Sequence, residues 1–207
     1  MIPLLFILYM KLNYFCLVKR YRKIKFNGHF STRSIKIKLN GKNNEIIAGK
    51  HVVLENCRFN LQGDNHKLVF GDNINISGVT FNFEKKGSAI LIGSGTWIGP
   101  GCILTAMDGT TLNIGHSTLL APSCHIRTSD SHYVYQNGEE INKPKDILIG
   151  NHCWLGDEVF VLKGSRIADG CIVGARSVVT SSCVNEPNCI LGGTPAKILK
   201  KNISWKL

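Results

Sequence analysis

Seven histidines supply the candidate proton acceptors of this sequence, at positions 29, 51, 66, 116, 125, 132 and 152. A neutral imidazole can accept a proton near pH 7, so a histidine on a loop is the natural candidate for a general base. His132 lies in such a stretch, Ser-Asp-Ser-His-Tyr at 129–133. Asp130 either orients the imidazole ring of His132 or caps the turn in which both residues lie, and we favour the capping role. His125 and His152 are the next candidates, although a repeat described below places them, with His116, where side chains are solvated or packed.

Other reaction classes have little support in the sequence. No Gly-x-Ser-x-Gly motif and no local Cys/His pairing points to a nucleophilic enzyme. No P-loop or Gly-x-Gly-x-x-Gly occurs between a strand and a helix, which argues against nucleotide hydrolysis and hydride transfer. The net charge of +11 suggests nucleic acid at first, but residues 1–50 carry +10 of it and the remaining 157 residues only +1. We therefore expect no nucleic-acid partner.

Eight cysteines could form four disulfides in a secreted protein. They show no Cys-x-x-Cys or zinc-finger spacing, and the gaps from Cys153 to Cys171 and from Cys171 to Cys183 are both multiples of six. The cysteines therefore belong to a repeat, where they fill a position that requires a small apolar side chain. We expect unpaired thiols, no metal and a reducing cytoplasm, with a disulfide or metal framework as the alternative.

A period of six residues organises the second half of the chain. An aliphatic residue recurs without a slip, and four places later a small or β-branched residue follows. The aliphatic positions are Ile149, Leu155, Val161, Ile167, Val173 and Val179. The same register appears at Ile92, Ile98 and Leu104 and at Ile114, Leu120 and Ile126, and a looser version (Val53, Cys57, Phe59) places its beginning near residue 46. This period predicts coils of three short strands, with three hexads in each coil, rather than a helix or a long alternating strand. A chance run of Val and Ile in a β-sandwich is the alternative.

The hexads resemble those of the hexapeptide-repeat acyltransferases, whose coils form a left-handed parallel β-helix. The resemblance covers roughly residues 46–203. The repeat breaks near 127–146, in Arg-Thr-Ser-Asp-Ser-His-Tyr and the residues that follow, as loops that carry function often do. That excursion, the segment Ile-Gly-Asn-His-Cys-Trp-Leu-Gly (149–156) and the C-terminal stretch 186–205 are similar to bacterial capsule and polysialic acid O-acetyltransferases. We predict an all-β chain with this fold.

The resemblance implies acetyl-CoA as co-substrate and a sugar hydroxyl of a bacterial surface polysaccharide as acceptor, by direct transfer without an acyl-enzyme. It makes His132 the general base and places Trp154 beside the acetyl group and the acceptor, unless Trp154 only covers the coil. The residues it assigns to CoA are Trp154, Gly156, Ala175, Thr180, Ser181, Lys197 and Lys200. For the two lysines the alternative is a solvated basic tail. The resemblance also implies a homotrimer. N-acetylation of a nucleotide-linked amino sugar, acetylation of an antibiotic, and a non-catalytic scaffold remain alternatives.

The N-terminal segment, residues 1–45, lies outside the resemblance, and residues 46–207 form the predicted catalytic domain. Residues 1–18 are apolar except for Lys11 and Asn13, and five basic residues follow by Lys25. The charge follows the apolar run instead of preceding it, and no small-residue cleavage site occurs, so the segment is not a signal peptide. We expect it either to lie in the inner membrane interface with its basic flank on anionic headgroups or to dock on its own oligomer.

Overall fold

The chain winds as a parallel β-solenoid in which each turn contributes one strand to each of three sheets. The computed structural model describes residues 24–28, 30–85 and 87–206. Sheet A contains β1 (Ile24–Asn27), β4 (Asn44–Ala48), β7 (Lys67–Phe70), β10 (Ala89–Ile92), β13 (Thr111–Ile114), β18 (Ile147–Ile149) and β21 (Arg166–Ile167). Sheet C contains β3 (Lys36–Asn40), β6 (Arg58–Gln62), β9 (Thr80–Glu84), β12 (Ile103–Met107), β15 (His125–Arg127), β20 (Phe160–Val161) and β23 (Val178–Val179).

Sheet B completes the three-sided coil. Its parallel strands are β2 (Phe30–Arg33), β5 (Val52–Glu55), β8 (Ile74–Ser77), β11 (Trp97–Ile98), β14 (Leu119–Leu120), β19 (Trp154–Leu155), β22 (Ile172–Val173) and β24 (Ile190–Gly193), and β25 (Ala196–Lys200) pairs antiparallel with β24. A hairpin of β16 (Tyr135–Gln136) and β17 (Glu139–Glu140) stands apart from the three sheets. We name the three edges of the solenoid A/B, B/C and C/A after the sheets that meet there. In the described part of the chain no helix is long and apolar enough to cross a membrane.

The core is a set of inward-facing side chains that stack from turn to turn. All six aliphatic residues of the hexad run, Ile149 to Val179, are at most 1% exposed, and the small position is filled by buried residues such as Cys153, Val159 and Ser165. The upstream registers at Ile92 and Ile114 are buried in the same way. One upstream assignment is wrong by a residue: Leu54, not Val53, lies in register with Ile76 and Ile98 and points inward. The hexads thus define the core, since each inward residue packs on its equivalent one turn away.

The length of a turn differs between the two halves of the solenoid. Downstream of the excursion the prediction of three hexads per turn is correct, because Leu148 pairs with Arg166 and Trp154 with Ile172. Upstream it is wrong: Lys67, Ala89 and Thr111 are successive register partners, so each of these turns is four residues longer than three hexads. The extra residues lie at the C/A edge, where β12 is five residues long and a turn at Asp108 and Gly109 follows, both with positive φ. The strand β20, by contrast, has two residues.

The solenoid also begins earlier than residue 46. Strands β1, β2 and β3 already pair in parallel with β4, β5 and β6, so the first described turn starts at Ile24. The hexad pattern is invisible there because these longer strands alternate inward and outward residues, as in Lys36-Ile-Lys-Leu-Asn40, in place of a two-residue strand and a corner. The apolar segment 1–18 and most of its basic flank lie outside the described residues.

The described cysteines are free, as expected from the repeat. Cys57, Cys102, Cys124, Cys153, Cys171 and Cys189 are buried, and Cys183 is half-buried; Cys16 lies outside the described residues. Burial raises the pKa of the Cys153 thiol to about 11, so this thiol is protonated at neutral pH. A protonated, buried thiol acts as a small apolar side chain rather than a nucleophile.

Two leucines of neighbouring strands test the inward-stacking core. Leu155 is completely buried, whereas Leu148 points out of sheet A and is 39% exposed. We expect Leu155→Ala to lower the free energy of unfolding by about 2–5 kcal/mol, because it leaves a cavity between turns. Leu148→Ala should cost less than about 1 kcal/mol. Urea denaturation of both variants checks this, and equal losses would contradict the inward assignment.

Candidate active site

The excursion between β15 and β18 folds as a hairpin arm that projects from the C/A edge. Its base is closed by the Lys145 amide, which donates to the Thr128 carbonyl at 3.0 Å. At its tip Asn137 and Gly138 have φ of 52° and 84°, the two positive values that a type I′ hairpin turn requires. The Asn-Gly pair between β16 and β17 is a sequence signal for this hairpin that our interpretation missed. The arm occupies the same edge at which the upstream turns carry their extra residues.

The preceding turns hold the arm at Thr128 and at Tyr133. The buried Thr128 hydroxyl lies 2.6 Å from that of Thr110 and accepts a hydrogen bond from the Met107 amide at 3.1 Å. Above the arm, Lys85 donates to the Tyr133 hydroxyl, forms an ion pair with Asp108 at 3.0 Å and lies 4.2 Å from the centre of the Tyr133 ring. The upstream extended turns therefore support the arm.

Asn142 and Asp130 fix the backbone that carries His132. The Asn142 side chain donates to the His132 carbonyl at 2.8 Å and to Asp130 at 3.1 Å, and it accepts from the Val134 amide at 2.6 Å. Lys163, one turn further on, donates to both the Asp130 carboxylate and the Asn142 carbonyl. The Asp130 carboxylate therefore accepts from Asn142 within the arm and from Lys163, and not from the imidazole, while the Ser131 amide of this turn donates to the Ser129 hydroxyl.

The charge on Asp130 is stabilised by these contacts. Partial burial alone would raise its pKa, but the hydrogen bonds from Lys163 and Asn142 and the charges of Lys163 and Arg127 outweigh that effect, so the pKa lies below its usual value. A lowered folded-state pKa stabilises the arm above the unfolded-state pKa, and this stabilisation is lost as the pH falls through the folded value. The anchor is thus intact at neutral pH.

The imidazole of His132 is presented to solvent. The residue is exposed, follows Ser131 with φ of 70°, and its ring has no hydrogen-bond partner among the described residues. The other predicted candidates are engaged: His125 stacks on Phe160 at 4.9 Å, and His152 stacks on Trp205 at 4.1 Å with an interplanar angle of 3°. His132 is therefore an accessible candidate for a general base, on a backbone that hydrogen bonds hold in place.

Trp154 lies on the outer surface of sheet B beside the C-terminal tail. It is 42% exposed, and its ring centre lies 6.1 Å from that of Trp205. The Trp205 indole N–H donates to the His152 carbonyl at 3.1 Å, so the tail is fastened across the A/B edge next to Trp154. Trp205 was missing from the predicted site, because a hexad pattern carries no information about where the tail returns.

The predicted CoA residues lie at two different edges of the solenoid. Gly156 and Ala175 stack at the B/C edge, next to the sheet that carries Trp154; a Cβ on Gly156 would lie 2.8 Å from the Ala175 nitrogen, so coil stacking alone requires glycine here. Thr180 and Ser181 lie at the C/A edge, below the arm, where the Thr180 hydroxyl is 2.8 Å from that of Ser182. Lys197 and Lys200 are exposed on β25.

One chain therefore does not assemble the whole predicted site. In a three-sided coil the C/A edge lies opposite sheet B, so His132 and Trp154 are on opposite sides of the solenoid. His132 shares its edge with Thr180 and Ser181, whereas Trp154, Gly156 and Ala175 belong to the other side.

This fold is that of known transferases. Residues 146–181 match the family described as bacterial transferase hexapeptide (six repeats). The structure of the polysialic-acid-specific acetyltransferase NeuO aligns with 89% of this chain and 85% of its own, at 30% identity and a TM-score of 0.77. At the same identity, the polysialic acid O-acetyltransferase OatWY aligns with 88% of this chain and 91% of its own, with a TM-score of 0.73.

The chain belongs to the hexapeptide-repeat transferases, and the predicted left-handed parallel β-helix is confirmed. Within that family it is similar over most of its length to the two polysialic acid acetyltransferases. A stronger but shorter similarity exists to chloramphenicol acetyltransferase of Morganella morganii, 46% identical over 59 residues, which are 28% of this chain and 27% of that protein. The chain thus matches about a quarter to a third of the length of its first curated relatives.

Two lysine–carboxylate pairs test how the arm is held. Lys163 is 17% exposed in its pair with Asp130, whereas Lys201 is 57% exposed in its pair with Glu186 at 2.8 Å. Lys163→Met should remove about 1–3 kcal/mol from the stability of the arm, because Asp130 and the Asn142 carbonyl both lose the hydrogen bond from Lys163, although Asp130 keeps the one from Asn142. Amide hydrogen exchange at residues 130–142 should accelerate. Lys201→Met, an exposed pair, should leave that exchange unchanged; unaltered exchange in the Lys163 variant would contradict the anchoring role.

Proposed function

We propose that this protein transfers an acetyl group from acetyl-CoA to a hydroxyl of a bacterial surface saccharide, either a capsular (including sialic acid-containing) or an O-antigen polysaccharide or its precursor. The observation that carries the proposal is the similarity to NeuO and OatWY, which covers 89% and 88% of this chain at 30% identity. The names of both proteins give polysialic acid as the acceptor. The exposed imidazole of His132 on the anchored arm can supply the general base that such a transfer needs.

In the proposed reaction His132 acts as the general base. Its neutral imidazole accepts the proton of the sugar hydroxyl as the hydroxyl oxygen attacks the thioester carbonyl carbon. The tetrahedral intermediate then collapses, the carbon–sulfur bond breaks, and the proton returns from His132 to the CoA thiolate. The indole N–H of Trp154 is available to donate to the developing oxyanion, and its ring limits access of water to the acetyl group.

Acetyl-CoA fits the residues assigned to it. Ala175 is exposed beside the buried Gly156, so at these two positions the B/C edge allows the pantetheine to approach the backbone closely. Lys197 and Lys200 are exposed at the end of sheet B, the sheet that carries Trp154, where their ammonium groups can meet phosphates. Thr180 and Ser181 would contribute from the other side of the site, together with His132.

The division of the site supports a homotrimer. Cyclic symmetry places the C/A edge of one copy against sheet B of the next, which joins His132 to Trp154 of a neighbouring copy. Two exposed apolar residues of sheet B, Trp97 and Trp154, are both more than 40% exposed in a single chain and would be covered in this arrangement. We also propose a cytoplasmic location, supported by the free thiols, with residues 1–25 at the inner membrane surface.

Acetylation of a small antibiotic is the second candidate, favoured by the local similarity to chloramphenicol acetyltransferase. The two candidates differ in the acceptor and not in the chemistry. Purified protein offered acetyl-CoA with either polysialic acid oligomers or chloramphenicol separates them, with CoA release as the readout. Acetylation of chloramphenicol alone would favour the second candidate.

His132→Ala tests the proposed base. We expect kcat to fall about 10²–10⁴-fold with little change in CoA affinity, because general-base removal acts on the chemical step. His116→Ala is the matched control, since His116 is also exposed but lies at the A/B edge. Retention of more than about a tenth of wild-type turnover by His132→Ala would exclude His132 as the base.

Lys197→Ala tests the proposed phosphate contact. Loss of an ammonium group that meets a CoA phosphate should raise the KM for acetyl-CoA about tenfold and leave kcat nearly unchanged. Lys67→Ala, an exposed lysine of sheet A, should change neither constant. If Lys197→Ala behaves like this control, the C-terminal lysines form a solvated tail.

A further inference from the structure

The three outer surfaces of the solenoid differ in chemistry. Sheet B carries an apolar column on β11, β14 and β19, formed by Trp97, Leu119 and Trp154 in register. Sheet A carries the apolar column Ile47, Val69 and Leu91. Sheet C is polar over its first three turns, and on its outward positions between β3 and β15 the described part of the chain has a single acidic residue, Glu84.

Sheet C begins with a concentration of positive charge. Lys36 and Arg58 are direct register partners on adjacent turns, and Lys38 lies two residues along the same strand. All three are exposed, and none has an ion-pair partner within residues 24–28, 30–85 and 87–206. Like charges directly opposite each other in a sheet are destabilising. An anionic ligand would relieve this repulsion.

From this basic group a polar column leads to the arm. The register partners of Lys38 are, turn by turn, Asn60, Asn82, Thr105 and Arg127. Asn60 donates to Asn82 at 2.8 Å, and Asn82 to Thr105 at 3.4 Å, so the column forms an ordered ladder of amides and a hydroxyl. Arg127 donates to the Ser129 carbonyl and to the Ser131 hydroxyl at 3.0 Å, which places the end of the column at the base of the arm that carries His132.

We propose that the outer surface of sheet C is a docking track for the acceptor, an extended polyanionic saccharide. Its carboxylates pair with Lys36, Lys38 and Arg58, its hydroxyls lie along the amide ladder, and a more distant sugar residue reaches His132. Four strand spacings separate β3 from β15, a length of about 19 Å, so a short acceptor at His132 does not reach the basic group. This inference rests on the proposed function, because it supplies the acceptor site for saccharide acetylation.

The first experiment measures binding without catalysis, with polysialic acid as the probe and no acetyl-CoA present. The variant Lys36→Gln/Lys38→Gln/Arg58→Gln should bind the polymer about tenfold more weakly than the wild type, a change of ~1.4 kcal/mol. The matched control Lys50→Gln/Lys67→Gln/Arg166→Gln removes two lysines and one arginine, all exposed, from positions outside sheet C. It should retain nearly the full affinity, and wild-type affinity should fall with rising salt.

The second experiment measures chain-length dependence of acetylation. In the sheet C variant the KM for long polysialic acid should rise about tenfold, whereas the KM for a disaccharide of sialic acid and both kcat values should stay unchanged. The control variant should match the wild type for both acceptors. Equal effects on long and short acceptors would overturn the track, since they would place the charges at the reaction site itself.

Three further outcomes have defined meanings. Wild-type polymer binding by the sheet C variant, or an equal loss in the control variant, overturns the proposal. Loss of binding to phosphatidylcholine–phosphatidylserine vesicles with polymer binding intact also overturns it and assigns the basic group to a membrane surface. If the wild type binds polysialic acid through sheet C but acetylates no saccharide, the track is supported and the proposed function fails.

Discussion

The stacking of each coil on the next is the constraint on which the rest of this structure depends. Every inward side chain packs on its equivalent one turn away, so a residue added within a strand would turn the following strand's core face outward. Additional chain is tolerated only at an edge. The C/A edge accepts it in the upstream turns and accepts the arm in the turn that contains β15 and β18. The position of His132 is thus a consequence of where the coil can lengthen.

The sequence predicted the core and the fold because the hexads repeat the packing constraint directly. It did not predict the length of the upstream turns or the start of the solenoid, because the strands there are longer. The distance in sequence from Ile92 to Ile114, the first residues of the two upstream aliphatic triplets, is the length of the longer turn. This length was overlooked because the residues within each triplet still follow a period of six. The alternation of Lys36 to Asn40 is typical of an ordinary half-buried strand, so the early start of the solenoid at Ile24 was not apparent.

The candidate site was predictable only in part, for a related reason. A break in a strict repeat identifies the arm, and a histidine within the break identifies His132. The contacts that hold the arm come from Lys85 and Lys163, which are 48 and 33 residues from their partners Tyr133 and Asp130. Such contacts depend on which residues each turn places at the C/A edge. That placement depends on the length of the turn, which the hexads do not give. The same holds for Trp205, which reaches His152 across 53 residues.

The central claim is that the site forms between two copies, with His132 from one and Trp154 from the next. The most direct test mixes His132→Ala with Trp154→Ala protein after unfolding and refolding them together, and compares the mixture with each variant alone. In a cyclic assembly, random mixing restores both side chains in about a quarter of the sites, so we predict about a quarter of wild-type activity. If mixed oligomers form and activity stays at the level of the separate variants, the two side chains do not share a site and the site between copies is excluded.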